Sequence, residues 1–341
     1  MTDFYKLDEA GQTLAMTALA EAALNHWDLA GSELALIKYR ENAVFKVLTA
    51  EGERYALRIH RHAYHSNPEL LSELQWIAAL DAAGIDVPAV IPTSSGELFA
   101  LVGVENVPEI RQVDVFAWVD GDQLGSVEAG LGNAGSVAET YRTIGQLAAR
   151  LHNHGDHWTP PAQFTRHAWD VTGLVGEQPF WGRFWELDSL SSDERALLLR
   201  ARERVAADLS AYAANPENAS LYGMIHADFV AENLMVDGST VRLIDFDDAG
   251  YGWHLFELAT ALYFEMEEEH YAEASAALVA GYREHRPLSD EQLARLPLFF
   301  LARSFTYLGW IHTRSETQTA KELAPLLTGK CCALARAYLK A

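Results

Sequence analysis

Apolar and polar residues follow two different periodicities along this chain. Over residues 33–47 and 55–59 they alternate, which is the pattern of β-strands that bury one face. From about residue 136 the apolar residues recur every three or four positions, which is the pattern of amphipathic helices. We therefore predict an α+β protein with strands in a smaller N-terminal part, residues 1–117, and helices in a larger C-terminal part, residues 118–341.

Local signals mark several of the predicted helix ends. Asn67 is a favourable capping residue and Pro68 is favourable in a first turn, so together they predict that a helix begins there. Gly84 suits the end of this helix, because glycine readily adopts the left-handed conformation found after helices. Further helices are predicted from capping-box pairs and from continued periodicity: Ser136 with Glu139, Ser191 with Glu194, residues 254–283 and residues 289–340.

A strand–turn–strand pattern near residue 240 carries oxygen-bearing side chains at both ends. Residues 234–236 and 240–244 are mostly apolar and an Asp-Gly turn joins them, which predicts a β-hairpin. Asn233 precedes the first strand and Asp245 follows the second, so the hairpin would bring these two side chains together. Amide and carboxylate oxygens are ligands that Mg²⁺ accepts in proteins. The pattern predicts a magnesium site formed by Asn233 and Asp245.

Asp228, five residues before Asn233, completes a spacing that is typical of phosphoryl-transfer sites. In this chemistry a carboxylate accepts or orients the proton of the acceptor hydroxyl, and the metal ligands follow along the chain. We predict that Asp228 is this catalytic base. His226 belongs to the same loop, where we expect it to order the loop rather than to titrate. The alternative is a buried turn with solvated acids.

The segments 225–229, 232–238 and 243–248 together resemble the signature of a known superfamily. They read Ile-His-Ala-Asp-Phe, Glu-Asn-Leu-Met-Val-Asp-Gly and Leu-Ile-Asp-Phe-Asp-Asp. This signature is similar to that of the aminoglycoside phosphotransferase and choline kinase superfamily, which includes homoserine kinases and a bacterial stress-response protein kinase. The resemblance covers about residues 30–315. It implies a bilobal protein-kinase-like fold, with an antiparallel sheet in the small N-terminal lobe and helices in the larger C-terminal lobe. It also implies the cofactors ATP and Mg²⁺ and a hydroxyl acceptor.

The resemblance also implies which residues bind the nucleotide phosphates. Arg58 stands on the third strand, where protein kinases have a lysine that grips the α- and β-phosphates. Arginine suits this role, because its planar fork binds two phosphate oxygens and keeps its charge. We predict that Glu73, on the following helix, pairs with Arg58, and Glu69 is the alternative partner. A strand-edge arginine that faces water remains the other interpretation of Arg58.

Three more positions complete the implied nucleotide site. The chain lacks a G-x-G-x-x-G loop, and the resemblance places Asn42 in the corresponding turn. The apolar run 113–119 resembles the strand and linker that hydrogen-bond the adenine ring in kinases. We therefore assign Phe116 and Trp118 to the nucleotide site. A plain turn at Asn42 and a core strand at 113–119 are the structural alternatives.

The acceptor is less well defined by the sequence. The segment after Asp245 is too short for the activation segment of a eukaryotic-type protein kinase, which favours a small acceptor. Candidate acceptor residues are Asp247, Arg303, which could hold a carboxylate, and Trp310, which could stack on a cation. Core packing is the alternative for Arg303 and Trp310. Glu257 stands where the superfamily usually has an aspartate that receives backbone N–H groups of the catalytic loop.

Composition limits the partners of this chain. The formal net charge of -22 disfavours nucleic acid and anionic membranes, and it favours a cationic acceptor such as an amino alcohol or aminosugar. Two adjacent cysteines and the lack of a leader or long apolar run lead us to expect a cytoplasmic protein. A bacterial protein Ser/Thr kinase and a catalytically silent nucleotide-binding module remain alternatives. The sequence leaves the oligomeric state open.

Overall fold

The computed structural model describes residues 4–39, 42–126, 130–131, 136–238 and 240–340. The chain divides into two compact units, each made of segments that are distant in sequence. The first unit comprises Met1–Asp122, Thr159–Thr165 and Asp237–Asp247, and the second comprises Gln123–Trp158, Arg166–Val236 and Asp248–Ala341. The division predicted between residues 117 and 118 stays a prediction.

The first unit is built on an antiparallel sheet of five strands in the order β1-β2-β3-β5-β4. The alternating sequence pattern predicted strands here, and the resemblance implied that they form an antiparallel sheet. One helix precedes the sheet and one follows its third strand. The elements are α1 (Glu9–Ala23), β1 (Glu33–Tyr39), β2 (Ala43–Leu48), β3 (Arg54–Ile59), α2 (Asn67–Ala82), β4 (Ala100–Val102) and β5 (Arg111–Ala117).

The two faces of this sheet differ because successive side chains of a strand point to opposite sides. One face joins α1 in a hydrophobic core that includes Phe45, Leu57 and Val115. The register pairs Arg58 with Val44 on β2 and with Asp114 on β5, so these three side chains share the opposite face. That second face, which we call the charged face, therefore carries Arg58 and Asp114.

Helix α2 begins one residue earlier than the sequence signals indicated. The capping residue is Ser66 and not Asn67, and its backbone N–H donates to the Glu69 carboxylate at 2.8 Å. Proline then falls at the second helical position, where a missing N–H is equally harmless. Gly84 follows the helix with a φ of +72°, as its predicted role requires.

The second unit is mainly helical, and its strands are short. In chain order the elements after β5 are β6 (Asp122–Gln123), β7 (Gly125–Ser126), β8 (Gly130–Leu131), α3 (Val137–His157), β9 (Ala168–Trp169), α4 (Val171–Val175), α5 (Ser192–Ala214), β10 (Tyr222–Ile225), β11 (Leu234–Asp237), β12 (Thr240–Leu243), β13 (Gly250–Trp253), α6 (His254–Leu262), α7 (Tyr271–His285), α8 (Asp290–Leu293), α9 (Leu296–Thr313) and α10 (Gln318–Tyr338). Of these, β12 belongs to the first unit, and β6 has one residue in each unit. Strands β11 and β12 stand where the sequence predicted them.

Two glycines allow α3 and α7 to pack closely. A Cβ atom at Gly145 would lie 2.0 Å from the carbonyl oxygen of Leu278, and one at Gly281 would lie 2.0 Å from that of Arg142.

Helix α9 is buried along nearly its whole length. The helical pattern predicted over 254–283 forms two helices, α6 and α7, which a 3₁₀ turn at Phe264–Glu267 separates, and the pattern over 289–340 forms α8, α9 and α10. The apolar periodicity on either side concealed this break.

A small sheet in the second unit fixes the start of the predicted catalytic loop. Strand β10 pairs antiparallel with β13, and β13 pairs parallel with β9. The pairing of Ile225 with Gly250 anchors the chain immediately before His226. Within the described residues, no helix combines the length and the apolar character needed to span a bilayer.

Candidate active site

The loop that follows β10 is held by a buried acid on α6. The carboxylate of Glu257 accepts the backbone N–H of His226 at 2.7 Å and that of Ala227 at 2.8 Å. Ala227 has a φ of +64°, a strained conformation that these bonds stabilise. Burial raises the pKa of Glu257. The predicted contact between this acid and the catalytic loop is therefore confirmed, although glutamate replaces the usual aspartate.

His226 orders this loop from within. Its ring is fully buried, and its Nδ1 atom accepts the backbone N–H of Asp228 at 3.2 Å. A ring that is buried and bonded to the main chain positions the next residue but offers no surface to a substrate. This geometry matches the ordering role predicted for His226.

The Asp228 carboxylate is held at both oxygens and remains partly exposed. Its Oδ1 atom accepts from Nη2 of Arg303 at 2.7 Å, and its Oδ2 atom accepts from Nδ2 of Asn233 at 2.8 Å. The side chain keeps 25% of its surface exposed. Each carboxylate oxygen has two acceptor positions, so one hydrogen bond at each oxygen leaves capacity for another proton donor. A fixed, accessible carboxylate of this kind suits a general base.

Arg303 has a different role from the one predicted. We considered it as a ligand for a substrate carboxylate, but its side chain is fully buried. Its guanidinium also donates to the carbonyl oxygen of Ala227 at 3.0 Å and to the hydroxyl of Tyr307 at 3.0 Å. Burial alone would lower the pKa of Arg303, but the nearby Tyr307 and Asp228 raise it. The arginine therefore stays charged and positions the Asp228 carboxylate.

Asn233 presents its amide with a defined orientation. The Nδ2 atom donates to both the carbonyl oxygen of Asp228, at 2.9 Å, and its carboxylate, at 2.8 Å. These bonds use the nitrogen of the amide and leave its oxygen as the atom for a metal ion. Asn233 itself lies on a 3₁₀ turn that ends immediately before β11.

Two other side chains of the second unit are Trp310, which we predicted as an acceptor contact, and Asp248. Trp310 is half-buried, and the guanidinium of Arg314 lies 5.2 Å from the centre of its ring. The sequence prediction passed over Asp248, whose Oδ1 atom accepts from Nε1 of Trp181 at 3.0 Å. Its carbonyl oxygen accepts from Nε1 of Trp169 at 2.9 Å. These bonds fix a half-buried carboxylate, and only the fold reveals them.

In the first unit, two buried carboxylates hold Arg58. Glu73 lies 2.7 Å from Nη2, which is the predicted ion pair, whereas Glu69 caps α2. The sequence prediction missed Asp114, which accepts from Nε at 3.1 Å and from Nη2 at 2.8 Å. Burial would lower the pKa of Arg58, but Asp114 and Glu73 raise it well above its usual value. The strand register, which places Asp114 opposite Arg58, could have revealed this pair.

His60 is a second buried cation in the same cluster. Its Nε2 atom lies 2.8 Å from Oδ2 of Asp114. Burial and the charge of Arg58 oppose protonation of His60, but Asp114 and a hydrogen bond with Asp247 together outweigh them and raise its pKa to about 9. Arg58 and His60 lower the pKa of Asp114 in spite of its burial. At neutral pH this ring is therefore protonated.

Asp245 and Asp247 lie beside the remaining nitrogen of Arg58. The distance from Nη1 to the nearest carboxylate oxygen is 3.7 Å for Asp245 and 3.9 Å for Asp247. Asp245 is about half exposed and has a φ of +65°, a strained conformation for a residue with a side chain. Asp247 is buried. Burial alone would raise the pKa of its carboxyl, but hydrogen bonding from His60 outweighs burial, so the pKa lies below its usual value. Only Asp245 of these two acids has a readily accessible carboxylate.

The other nucleotide residues that we predicted also lie on the first unit. Asn42 accepts the backbone N–H of Arg61 at 3.0 Å and donates to Asp247 at 3.3 Å, so it anchors its turn. The residues before it in this turn, 40 and 41, lie outside the described part of the chain. The ring of Phe116 lies 5.2 Å from the guanidinium of Arg58, and Nζ of Lys46 lies 4.8 Å from the ring of Trp118.

One buried group resembles a metal site by distance alone. His65, Glu73 and Asp247 place ligand atoms within 4.8 Å of one another. Arg58 already lies 2.7 Å from Glu73, and a dication placed beside this guanidinium would be repelled. We therefore do not assign a metal to this group.

Comparison with known proteins defines the family. Residues 36–291 match the model of the phosphotransferase enzyme family. The chain belongs to this family and is a phosphotransferase of the kinase type, as the sequence motifs predicted. The comparison with solved structures confirms the protein-kinase-like fold class.

Individual relatives resemble the chain along most of its length. The structure of a microcompartment-associated aminopropanol kinase has 33% sequence identity and a TM-score of 0.82, and the match covers 95% of this chain and 98% of that chain. An amicoumacin kinase in complex with AMP-PNP, Ca²⁺ and Ami has 19% identity and a TM-score of 0.73, with 96% and 94% covered, and is similar in fold. Homoserine kinase of Gluconobacter oxydans (strain 621H) is 26% identical over 83% of this chain and 84% of its own.

Proposed function

We propose that this protein transfers the γ-phosphate of ATP to a hydroxyl of a small, amine-bearing molecule, with Asp228 as the catalytic base. The observation that carries this proposal is the fixed carboxylate of Asp228, which Arg303 and Asn233 hold at both oxygens while part of it stays exposed. Phosphoryl transfer depends mainly on positioning and on charge stabilisation, so a fixed carboxylate is more useful than a strongly basic one.

We assign the nucleotide to the charged face of the sheet in the first unit. Val44 and Ala56 share this face with Arg58. Val44 pairs with Arg58 from the neighbouring strand β2, and Ala56 stands two residues before Arg58 on β3. Small apolar side chains offer a flat surface to a purine ring, and Arg58 offers its Nη1 atom to phosphate oxygens. Phe116 and Trp118 follow on the adjacent strand and its end. Asn42 holds the neighbouring turn in place.

We assign Mg²⁺ to Asn233 and Asp245. The amide oxygen of Asn233 is directed by the two bonds that its nitrogen makes to Asp228, and the carboxylate of Asp245 is about half exposed. Both donors are hard oxygen atoms, as Mg²⁺ requires. When bound, the ion would neutralise phosphate charge. The amicoumacin kinase with AMP-PNP and Ca²⁺ supports the use of ATP with a divalent cation.

The acceptor class rests on charge and on the relatives. Aminopropanol and homoserine both carry a hydroxyl and an amine, and kinases for both are similar to this chain. The formal net charge of -22 would attract a cationic acceptor. We keep Asp247 and Trp310 as candidate acceptor contacts, and we expect the enzyme to act in the cytoplasm, where ATP is supplied.

Labelled ATP tests this proposal directly. The protein would be incubated with Mg²⁺ and separate amino alcohols, amino acids and aminosugars, and transfer would be measured for each. Asp228→Ala should abolish transfer and leave ATP affinity nearly unchanged. Asp208→Ala is the matched control, because Asp208 is similarly exposed and also pairs with an arginine at 2.7 Å, on the surface of α5.

Each outcome of this experiment has a distinct meaning. Transfer to an amine-bearing small molecule that requires Asp228 supports the proposal. Label that enters only protein would indicate a protein Ser/Thr kinase instead. ATP binding without any transfer would indicate a silent nucleotide-binding module. Turnover that survives in Asp228→Ala would show that another group is the base.

A further inference from the structure

We propose that Asp114 and His60 form an anchor that directs the Nη1 atom of Arg58 to the nucleotide phosphates and so sets the affinity for ATP. This inference rests on the proposed function, because it assigns a positioning role at the same nucleotide site. It adds two residues that the motifs of the chain do not mark.

The hydrogen bonds of Arg58 to acids involve two of its guanidinium nitrogens, Nε and Nη2, and leave the third, Nη1, for the nucleotide. Asp114 binds the edge formed by Nε and Nη2, at 3.1 and 2.8 Å, and Glu73 adds a third bond to Nη2 at 2.7 Å. Nη1 lies beyond hydrogen-bond distance of the nearest acids, at 3.7 Å from Asp245. A two-point contact fixes the plane of the guanidinium, whereas the single bond of Glu73 would allow rotation. Asp114 therefore determines where Nη1 points.

A second carboxylate on Arg58 would be costly without compensation. Two buried acids around one guanidinium carry a net negative charge, which would weaken the attraction of Arg58 for phosphate. His60 supplies a second positive charge, because its ring bonds to Asp114 and is protonated at neutral pH. With His60 included, the two cations Arg58 and His60 face the three buried acids Asp114, Glu73 and Asp247, so His60 reduces the excess negative charge of the group from two to one. All five side chains are buried, so solvent screens these charges little.

The same geometry ranks the two acids. Glu73 makes one hydrogen bond to Arg58 and Asp114 makes two. We therefore expect loss of Asp114 to weaken ATP binding more than loss of Glu73 does. If Glu73 were the only acid that positions Arg58, its loss would weaken ATP binding most. The opposite ranking is therefore expected only if Asp114 anchors Arg58.

A double-mutant cycle on Asp114 and His60 tests the proposal. His60→Gln leaves Asp114 uncompensated and should raise the KM for ATP by about tenfold, with the KM for the acceptor unchanged. Asp114→Asn should raise the KM for ATP by about tenfold or more, because the two-point contact is lost. In the Asp114→Asn background, His60→Gln should change this KM by less than about threefold, because the acid through which His60 acts on Arg58 is already neutral.

Two further variants separate positioning from folding. His60→Lys keeps the positive charge and should restore ATP affinity relative to His60→Gln. Glu109→Gln is the control, since Glu109 lies just before β5 and pairs with Arg111 at 3.2 Å rather than with Arg58. This variant should leave the KM for ATP unchanged. Thermal unfolding of each variant, and binding of a non-hydrolysable ATP analogue, would be measured alongside.

The results distinguish this inference from the proposed function. If the wild-type protein fails to bind the ATP analogue, the proposed function falls. If it binds the analogue but the effects of Asp114→Asn and His60→Gln on the KM for ATP multiply, the anchor is wrong. The anchor is also wrong if these substitutions raise the KM for the acceptor as much as the KM for ATP. Loss of thermal stability with unchanged ATP affinity would also overturn it. If Asp114→Asn does not fold, the comparison of His60→Gln with His60→Lys decides.

Discussion

Replacement of Arg303 by methionine isolates the contact that holds the catalytic base. Methionine fills a similar space but removes the hydrogen bonds to Asp228, at 2.7 Å, and to Ala227, at 3.0 Å. A hydrogen bond that involves a charged group contributes about 1.5–3 kcal/mol. Because Asp228 is partly exposed, we take the lower end for each bond, which gives about 3 kcal/mol in total.

This energy predicts a specific kinetic change. If both bonds act on the position of the base in the transition state, about 3 kcal/mol corresponds to a loss of about a hundredfold in kcat. The KM for the acceptor should change little, because Arg303 is fully buried and does not reach a substrate. Steady-state kinetics with saturating ATP and a varied acceptor would measure both constants.

A matched substitution controls for the loss of a buried ion pair. Arg286 is also buried in the second unit, and it pairs with Asp156 at 2.5 Å, away from Asp228. Arg286→Met should lower the free energy of unfolding without the loss of kcat. Our reasoning is refuted if Arg303→Met keeps kcat within about threefold of the wild type. A large increase in the acceptor KM with normal kcat would instead restore the role that the sequence suggested for Arg303.

Three further predictions address the metal, the loop and pH. Asn233→Ala and Asp245→Asn should each raise the Mg²⁺ concentration needed for half-maximal transfer, and unchanged metal dependence would contradict the assignment. Glu257→Gln should cost about 2–4 kcal/mol of stability in denaturant unfolding, because an amide offers one acceptor to two N–H groups; a loss below about 1 kcal/mol would contradict this. Burial lowers the pKa of His152 in the folded protein well below its ordinary value. As pH decreases below about 6.5, the unfolded chain therefore binds a proton at His152 that the folded protein does not, and the free energy of unfolding should fall. His152→Gln should reduce this slope in unfolding measured between about pH 7.5 and 5.5, and an equal slope would refute the assignment.

The sequence predicted best where function depends on neighbours along the chain. Asp228 and Asn233 are five residues apart, and their hydrogen bond follows from a short turn that the spacing already indicated. The alternation of β2 and β3 likewise predicted the sheet, because a period of two needs no knowledge of distant partners. The cap of α2 was misplaced by one residue because Ser66 and Asn67 are both good capping residues.

The contacts that the sequence could not predict join distant positions. Arg303 reaches Asp228 across 75 residues, and Asp114 reaches Arg58 across 56. An arginine on an apolar helix face can either bind a substrate or form a buried ion pair. The sequence pattern is the same in both cases, so it does not predict the partner of Arg303. Asp114 lies in a strongly apolar strand, where a single acid is a sign of a buried cation. That sign becomes specific only once the strand register is known.

Both charged groups that we assign to chemistry are held in the same way. Arg58 is fixed by buried acids and Asp228 is fixed by a buried arginine, so each presents one accessible edge and commits the rest to the protein. Such groups need little reorganisation when substrate arrives, which is how preorganised charges lower a barrier. Because their partners are buried, moderate salt should screen these internal pairs little. Salt should therefore weaken the attraction between the acidic surface and a cationic acceptor, raising its KM, before it affects kcat.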